Sequence, residues 1–298
     1  MTGPLLIALP GNDALADALV RLLDGERGRV ELRSFPDGET YLRYEDAVAG
    51  RNLVLVCTLD RPNEKFLPLL FAASTARALS AASVGLVAPY LAYMRQDKQF
   101  KPGEAVTSTV FAESLSRHVD WLVTVDPHLH RRSGLDEIYG VPAAALHAAP
   151  LLSAWIAANV TQPILIGPDG ESEQWVAAVA RDAKAPYVVL EKTRRGDRDV
   201  IVSVPEVERW RNHTPVLVDD IVSTGRTMIE TIGHLAAAGM KPPVCIAVHG
   251  VFADRAFQDL RDAGAACIVT SNTIAHETNG IDVTALIADG VRRLSPRR

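Results

Sequence analysis

The chain has 298 residues, of which 48% are hydrophobic and 22% charged, and its formal net charge is −5. This length is typical of two domains that each bury a core of their own. A mildly acidic chain is a poor candidate for binding nucleic acid, because affinity for a phosphate backbone requires a large basic surface.

Three features of the sequence predict a cytoplasmic protein. No apolar run is long enough to cross a membrane, and no basic region typical of a signal peptide precedes the short apolar stretch at the N-terminus. The cysteines, Cys57, Cys245 and Cys267, lie in separate apolar runs. We interpret them as small buried residues in a reducing compartment rather than as disulfide partners or zinc ligands.

Short β-branched runs alternate with helical segments, a pattern typical of α/β layers around a mostly parallel sheet. Strands are predicted at Leu5–Leu9, Leu53–Leu59, Val84–Val87, Trp121–Val125, Pro163–Gly167, Val188–Glu191, Pro215–Val218, Val244–Val248 and Ala266–Thr270. Their continuous hydrophobicity indicates strands that are covered on both faces. Helices are predicted at Asp13–Leu23, Glu64–Ala81, Thr109–Ser116 and Gly225–Ala238, the last of which ends at Gly239.

The chain also contains a weak internal repeat. Residues 54–59 can be laid over residues 216–221, and with the same offset residues 87–91 fall over residues 249–253. Although any two α/β units share some of this pattern, we interpret it as a duplication. The predicted domains are therefore two similar units, residues 1–147 and 148–298.

The second copy contains a segment rich in polar residues that can bind a ligand, residues 216–227, VLVDDIVSTGRT. It has Asp219 and Asp220 where the first copy has Cys57 and Thr58. In open parallel sheets, ligands bind beyond the carboxyl ends of the strands. The two acids suit vicinal hydroxyls or a cation, and the loop and helix start that follow suit a phosphate. The phosphate-binding candidates are Ser223, Thr224, Gly225, Arg226 and Thr227. Sugar hydroxyls beside a phosphate describe a ribose 5-phosphate, and an acidic helix cap with an ordinary turn is the alternative.

This segment resembles the binding motif for phosphoribosyl diphosphate (PRPP) in type I phosphoribosyltransferases and in PRPP synthases. Four more segments resemble the second family, the ribose-phosphate diphosphokinases, and are closer to its archaeal-type members: Phe35–Glu39, Pro89–Lys98, Asp126–His128 and Glu191–Arg194. The resemblance implies two phosphoribosyltransferase-like domains, each a mostly parallel sheet flanked by helices. It also implies transfer of the β,γ-diphosphoryl group of ATP to the C1 hydroxyl of ribose 5-phosphate, which gives PRPP and AMP.

The resemblance assigns a role to each matched residue. It implies that Lys192 and Arg194 are catalytic and that His128 and Asp169 hold Mg²⁺, although a histidine that is no ligand remains an alternative. The residues that it implies bind ATP are Phe35, Asp37, Glu39, Arg95 and Gln96. The residues that it implies bind ribose 5-phosphate are Asp219, Asp220 and residues 223–227. Asp169 and Gly170 are implied to bind the diphosphate. In this family the loop of Phe35 serves a neighbouring subunit, which implies a homodimer or higher homo-oligomer with shared active sites.

The chain departs from the family pattern in two places. Residues 170–175, GESEQW, stand where relatives have small and basic residues, and acids near a diphosphate are unfavourable. A catalytically poor member that regulates an active synthase is therefore the main alternative, while a phosphoribosyltransferase would leave the first domain unexplained. Residues 99–106 differ from the basic stretch of bacterial forms, which predicts weak or absent allosteric inhibition by ADP.

Overall fold

The computed structural model describes residues 3–129, 131–167, 173–195, 199–203 and 207–296. The chain divides into two compact units, Met1–Leu146 with Thr284–Arg298, and His147–Val283. In these described ranges, no helix is both long enough and apolar enough to span a membrane.

Strands and helices alternate along most of the first unit. In chain order they are β1 (Leu5–Ala8), α1 (Asp13–Leu22), β2 (Glu26–Gly28), β3 (Val30–Ser34), β4 (Thr40–Tyr44), β5 (Asn52–Val56), α2 (Pro62–Ala78), β6 (Ser83–Val87), α3 (Thr107–Ser116), β7 (Trp121–Val125) and β8 (Ala143–Leu146), with a 3₁₀ turn at Leu135–Glu137. A six-stranded sheet has the order β2-β1-β5-β6-β7-β8, and its neighbouring strands are parallel. Strands β6 and β7 are buried along their whole length, as expected for strands with helices on both faces.

The second unit repeats this plan. Its elements are α4 (Ala149–Asn159), β9 (Pro163–Gly167), α5 (Glu173–Ala183), β10 (Tyr187–Val189), β11 (Glu191–Arg195), β12 (Asp199–Ser203), α6 (Val207–Trp210), β13 (Thr214–Val222), α7 (Arg226–Ala237), β14 (Val244–Gly250), α8 (Ala256–Asp262), β15 (Cys267–Ser271) and β16 (Asn279–Ile281). The parallel sheet has the order β10-β9-β13-β14-β15-β16, and in both units an antiparallel hairpin separates the second and third sheet strands along the chain. The predicted α/β fold of two similar domains is confirmed.

The internal repeat is correct in its first part and wrong by three residues in its second. Strands β5 and β13 are the third strands of their sheets, as the match of residues 54–59 to 216–221 requires. However, Val56 pairs with Val87, 31 residues later, whereas Val218 pairs with Ile246, 28 residues later. The connection from the third strand to the fourth is thus longer in the first unit, and Val87 corresponds to Ile246 rather than to His249.

The last helix, α9 (Thr284–Leu294), packs with the first unit, although the sequence placed it in the second domain. Its Gly290 lies so close to β7 and β8 that an added Cβ would be 3.0 Å from Val123 and 3.1 Å from Leu146. The apolar stripe of an amphipathic helix shows that it covers a sheet but not which sheet it covers. This is why the sequence could not assign α9 to its unit.

Helix α7 closes the core of the second unit beneath the candidate site. Met228, Ile232 and Leu235 are buried in one cluster with Ile166 and Leu217. The helix ends in a Schellman motif, because Gly239 donates to the Ala236 carbonyl and Met240 donates to the Leu235 carbonyl, each at 3.0 Å. The φ of Gly239 is +70°, which a glycine adopts without strain, and the predicted helix end is confirmed.

Candidate active site

Strand β13 carries both candidate aspartates. The sequence placed Asp219 and Asp220 after the strand, but the strand extends through them to Val222. Pairing explains this length, because the register with β9 ends at Leu217 while the register with β14 continues to Val222. Both acids are half-buried in the part of β13 that extends past β9. They therefore lie at the carboxyl edge of the sheet, where parallel folds bind their ligands.

A local hydrogen bond orients the first of the two acids. The backbone N–H of Asp220 donates to Oδ1 of Asp219 at 2.9 Å. A carboxylate accepts hydrogen bonds and donates none when it is ionised. Two half-buried carboxylates at this edge therefore suit a ligand that brings hydroxyl donors or positive charge.

The turn after β13 is built around Gly225. This residue caps the N-terminus of α7 with φ +68° and ψ 2°, the left-handed region that favours glycine. An added Cβ would also lie 3.3 Å from Cγ of Leu260. The carbonyls of Val222 and Ser223 accept N–H groups of residues 251–253 at 3.0 Å, which ties the turn to the loop after β14.

The same turn presents donors without acceptors. Within the described part of the chain, the N–H groups of residues 224–227 and the hydroxyls of Ser223, Thr224 and Thr227 have no hydrogen-bond partner. The first turn of α7 contains no acid, and its first residue is the exposed Arg226. Open N–H groups at the positive end of a helix form an anion site. Phosphate is the anion that such a turn suits best.

The other candidates in the second unit are described only in part. Lys192 and Arg194 lie two positions apart on β11, opposite Val202 and Val200 of β12. The two strands form an antiparallel hairpin, and residues 196–198 between them lie outside the described residues. The side chains of β11 lie outside the description. Asp169 and Gly170 also lie outside the described residues.

In the first unit, the ATP-binding candidates Phe35, Asp37 and Glu39 form the turn between β3 and β4. Phe35 donates its N–H to the Glu39 carbonyl at 2.7 Å, and Oδ1 of Asp37 accepts the Glu39 N–H at 3.2 Å. The Phe35 side chain is 40% exposed. The Arg33 guanidinium lies 4.9 Å from the Phe35 ring and 4.1 Å from the Tyr41 ring. Sequence reasoning missed Arg33 and Tyr41, whose alternation with Phe35 along a hairpin was the available signal.

The remaining ATP-binding candidates, Arg95 and Gln96, follow β6. The hydroxyl of Thr107 donates to Oε1 of Gln96 at 3.1 Å, while Arg95 is exposed. Tyr93, two residues before Arg95, has φ +60°, an uncommon value for an aromatic residue, and its hydroxyl donates to Asn63. The segment is therefore held in one conformation before and after Arg95.

The metal candidate His128 is half-buried and follows the end of β7. Among the described residues, no three His, Cys, Asp or Glu side chains are close enough to form a metal site by themselves. Magnesium keeps several waters and binds proteins through one or two side chains plus substrate phosphates. A site in which one or two side chains bind the metal together with substrate phosphates therefore suits Mg²⁺ better than a site built from protein side chains alone.

Comparison with known proteins decides the family. Residues 5–118 match the N-terminal domain of ribose phosphate pyrophosphokinase, and residues 134–285 match the phosphoribosyl transferase domain. A ribose-phosphate pyrophosphokinase of Methanosarcina acetivorans is 31% identical over 97% of this chain and 99% of its own length. One of Halobacterium salinarum is 32% identical over 96% of this chain and 100% of its own. The chain belongs to the ribose-phosphate pyrophosphokinase family.

The fold of this family agrees with a crystal structure. Phosphoribosylpyrophosphate synthetase from Mycobacterium smegmatis superposes with a TM-score of 0.85 over 97% of this chain and 98% of the other, at 24% identity. The predicted resemblance is confirmed, and the family model for residues 5–118 accounts for the domain that a phosphoribosyltransferase would leave unexplained. Relatives named as pyrophosphokinases favour an enzyme over a regulatory partner.

Proposed function

We propose that the protein is a ribose-phosphate diphosphokinase, which transfers the β,γ-diphosphoryl group of ATP to the C1 hydroxyl of ribose 5-phosphate. The carboxyl end of β13 supports this proposal most strongly. Two half-buried carboxylates, Asp219 and Asp220, precede a turn whose donors have no partner within the described residues. The carboxylates can accept hydrogen bonds from the hydroxyls of a sugar phosphate, and the donors of the turn can bind its phosphate.

Each part of the sugar phosphate has a proposed partner. Asp219 and Asp220 accept hydrogen bonds from the ring hydroxyls, and the 5-phosphate accepts from the N–H groups and hydroxyls of residues 223–227. Arg226 adds a positive charge at the first helical position. These contacts hold the C1 hydroxyl in a fixed place, which is the main requirement of phosphoryl transfer.

The reaction forms a bond between the C1 oxygen and the β-phosphorus of ATP. The bond from that phosphorus to the oxygen of the α-phosphate breaks, AMP departs with that oxygen, and the proton of the C1 hydroxyl is released to solvent. Lys192 and Arg194 are the proposed catalytic residues, which neutralise negative charge on the transferred group and on the departing oxygen. Lysine acts as a point charge, whereas the arginine fork binds two oxygens at once. Strand β12 of their hairpin contacts α7, the helix that follows the proposed phosphate-binding turn, which supports a segment that covers bound substrates.

The proposed cofactor is Mg²⁺, held through His128 and Asp169 with the diphosphate also contacting Gly170. When bound, Mg²⁺ neutralises charge on the β- and γ-phosphates. The half-buried imidazole of His128, after the buried strand β7, supports its part in this assignment.

The proposed nucleotide partners are Phe35, Asp37, Glu39, Arg95 and Gln96. An aromatic ring that is 40% exposed at the tip of a hairpin suits stacking on adenine. It also suits insertion into a neighbouring copy, and we propose a homodimer or higher homo-oligomer with shared active sites. ATP and ribose 5-phosphate are metabolites of the cytoplasm, where we place the protein.

One assay tests the function. The pure protein is incubated with Mg-ATP and ribose 5-phosphate, and AMP and PRPP are quantified. The proposal expects the two products in equal amounts. The regulatory alternative expects no product from the protein alone, and a phosphoribosyltransferase would consume added PRPP with a nucleobase instead.

A further inference from the structure

A buried carboxylate lies directly after the proposed nucleotide residues Arg95 and Gln96. The side chain of Asp97 is only 3% exposed, and Nη1 of Arg131 donates to its Oδ1 at 3.2 Å and to its Oδ2 at 3.5 Å. The backbone carbonyl of Asp97 accepts from Nη2 of Arg132 at 3.2 Å. Two consecutive arginines thus hold one residue by its side chain and by its backbone.

The start of helix α3 completes this arrangement. Nη2 of Arg132 also donates to the hydroxyl of Ser108 at 3.2 Å, and the N–H of Ser108 donates to the Gln96 carbonyl at 3.3 Å. Together with the bond from Thr107 to Gln96, these contacts fix both residues of the pair Gln96–Asp97. The backbone next to Arg95 is therefore held by groups from two separate parts of the first unit.

The two arginines belong to the segment that follows β7 and carries His128. Asp97 lies 34 residues from Arg131 along the chain, so the ion pair joins two loops rather than stabilising one. Burying a carboxylate is costly unless it is paired. Arg131 is itself 29% exposed, so the ion pair is only partly buried. A partly exposed pair adds little to stability, and we interpret its role as fixing one conformation.

We propose that Asp97 is a positioning residue for ATP. Through Arg131 and Arg132 it fixes Arg95 and Gln96 relative to the segment of His128, so that the nucleotide contacts are formed before ATP arrives. This inference rests on the proposed function, in which Arg95 and Gln96 contact ATP. Pre-formed contacts raise affinity because less ordering is needed on binding.

The test compares the Michaelis constants for the two substrates. Asp97→Asn keeps the size of the side chain and removes the charge that Arg131 binds. We expect the KM for ATP to rise about tenfold, the loss typical of one hydrogen bond to a charged group. The KM for ribose 5-phosphate should stay within about twofold, because no part of its proposed site is changed.

The matched control is Asp120→Asn. Asp120 accepts hydrogen bonds from Nη2 of Arg77 at 2.6 Å and from the Val84 N–H at 2.7 Å. It directly precedes β7 and therefore lies at the amino ends of the strands, away from the segment that follows the carboxyl end of β7. This variant also loses an ion pair, so it should lose stability and keep its KM for ATP. Arg132→Lys keeps the charge but removes the guanidinium, whose Nη2 donates to both Asp97 and Ser108. It replaces Asp97→Asn if that variant does not fold.

Each outcome has one meaning. A rise in the KM for ATP that is confined to the Asp97 or Arg132 variants supports the positioning role. An unchanged KM for ATP, or an equal rise in Asp120→Asn, overturns it while the proposed function stands. If the wild type makes no PRPP, the function fails, and the affinity for ATP measured by titration replaces KM in the same comparison. A wild type that does not bind ATP overturns both.

Discussion

The two units end their third sheet strand in opposite ways. In the first unit, the N–H of Thr58 donates to the buried side chain of Asn12 at 2.9 Å. Nζ of Lys65 donates to the Thr58 carbonyl at 3.0 Å and pairs with Asp60. The helix that follows begins with Pro62, which has no N–H, and has Glu64 in its first turn. Side chains of the same unit therefore occupy this edge.

In the second unit, the corresponding strand β13 ends in two carboxylates and an open turn. Helix α7 begins with Arg226, has no acid in its first turn, and its leading N–H groups have no acceptor within the described residues. The two units therefore differ at this point: side chains of the first unit bind the end of β5, whereas the turn after β13 keeps open hydrogen-bond donors within the described residues. The unsatisfied donors at the second strand end support the proposal that the ligand binds there.

The largest effect is expected at the hairpin of the second unit. Lys192→Ala and Arg194→Ala should each lower turnover by about 10²–10³, the cost typical of removing one charge-stabilising donor. The matched control is Arg43→Ala on the corresponding hairpin of the first unit, where Arg43 donates to Glu31 at 3.0 Å. Turnover and melting temperature are measured for all three variants. Near-normal turnover in both Lys192→Ala and Arg194→Ala would remove their catalytic assignment.

A smaller effect is expected at the turn. Gly225→Ala forces a side chain into φ +68° against Leu260, which costs about 1–2 kcal/mol and displaces the phosphate donors. The KM for ribose 5-phosphate should rise about tenfold. Gly50→Ala is the control, because Gly50 has φ +69° but an added Cβ would meet nothing within 4 Å. Equal kinetics in the two variants would contradict the phosphate site.

Removing the internal partner in the first unit should change stability alone. Lys65→Ala leaves the partly buried Asp60 and the Thr58 carbonyl without the ammonium group, which costs about 1–3 kcal/mol. The melting temperature should fall, while the KM values for both substrates stay unchanged. A change in the KM for ribose 5-phosphate would show that the two strand ends are not distinct in function.

The smallest effect concerns the reactivity of Cys57, which occupies the position in the first unit that Asp219 occupies in the second. Burial raises the pKa of the Cys57 thiol to about 12, and burial raises that of Cys245 to about 12 as well. Both thiols therefore stay protonated and unreactive at pH 8, whereas Cys267 is exposed. Iodoacetamide followed by mass spectrometry should label Cys267 alone. Fast labelling of Cys57 in the native protein would show that the first strand end is open.

The sequence predicted those parts of the fold that depend on local pattern. Strands Trp121–Val125 and Pro163–Gly167 have the predicted bounds, because each is an apolar run bounded by polar or turn residues. The candidate site was proposed because two acids after an apolar run are unusual. The end of α7 was found because Gly239 has a fixed role in helix termination.

The missed features depend on partners that are distant in the chain. The length of β13 follows from its register with β14, and the unit that α9 joins follows from its packing on β7. The hairpins β3–β4 and β11–β12 mix polar and apolar residues, so no apolar run marks them. The ion pair between Asp97 and Arg131 spans 34 residues, and nothing in the local sequence indicates it.

The most direct measurement is a crystal structure of the protein soaked with ribose 5-phosphate. The account predicts density for the sugar hydroxyls beside Asp219 and Asp220 and for the phosphate at residues 223–227, with none at the end of β5. Density for the sugar phosphate elsewhere, with the end of β13 empty, would contradict it.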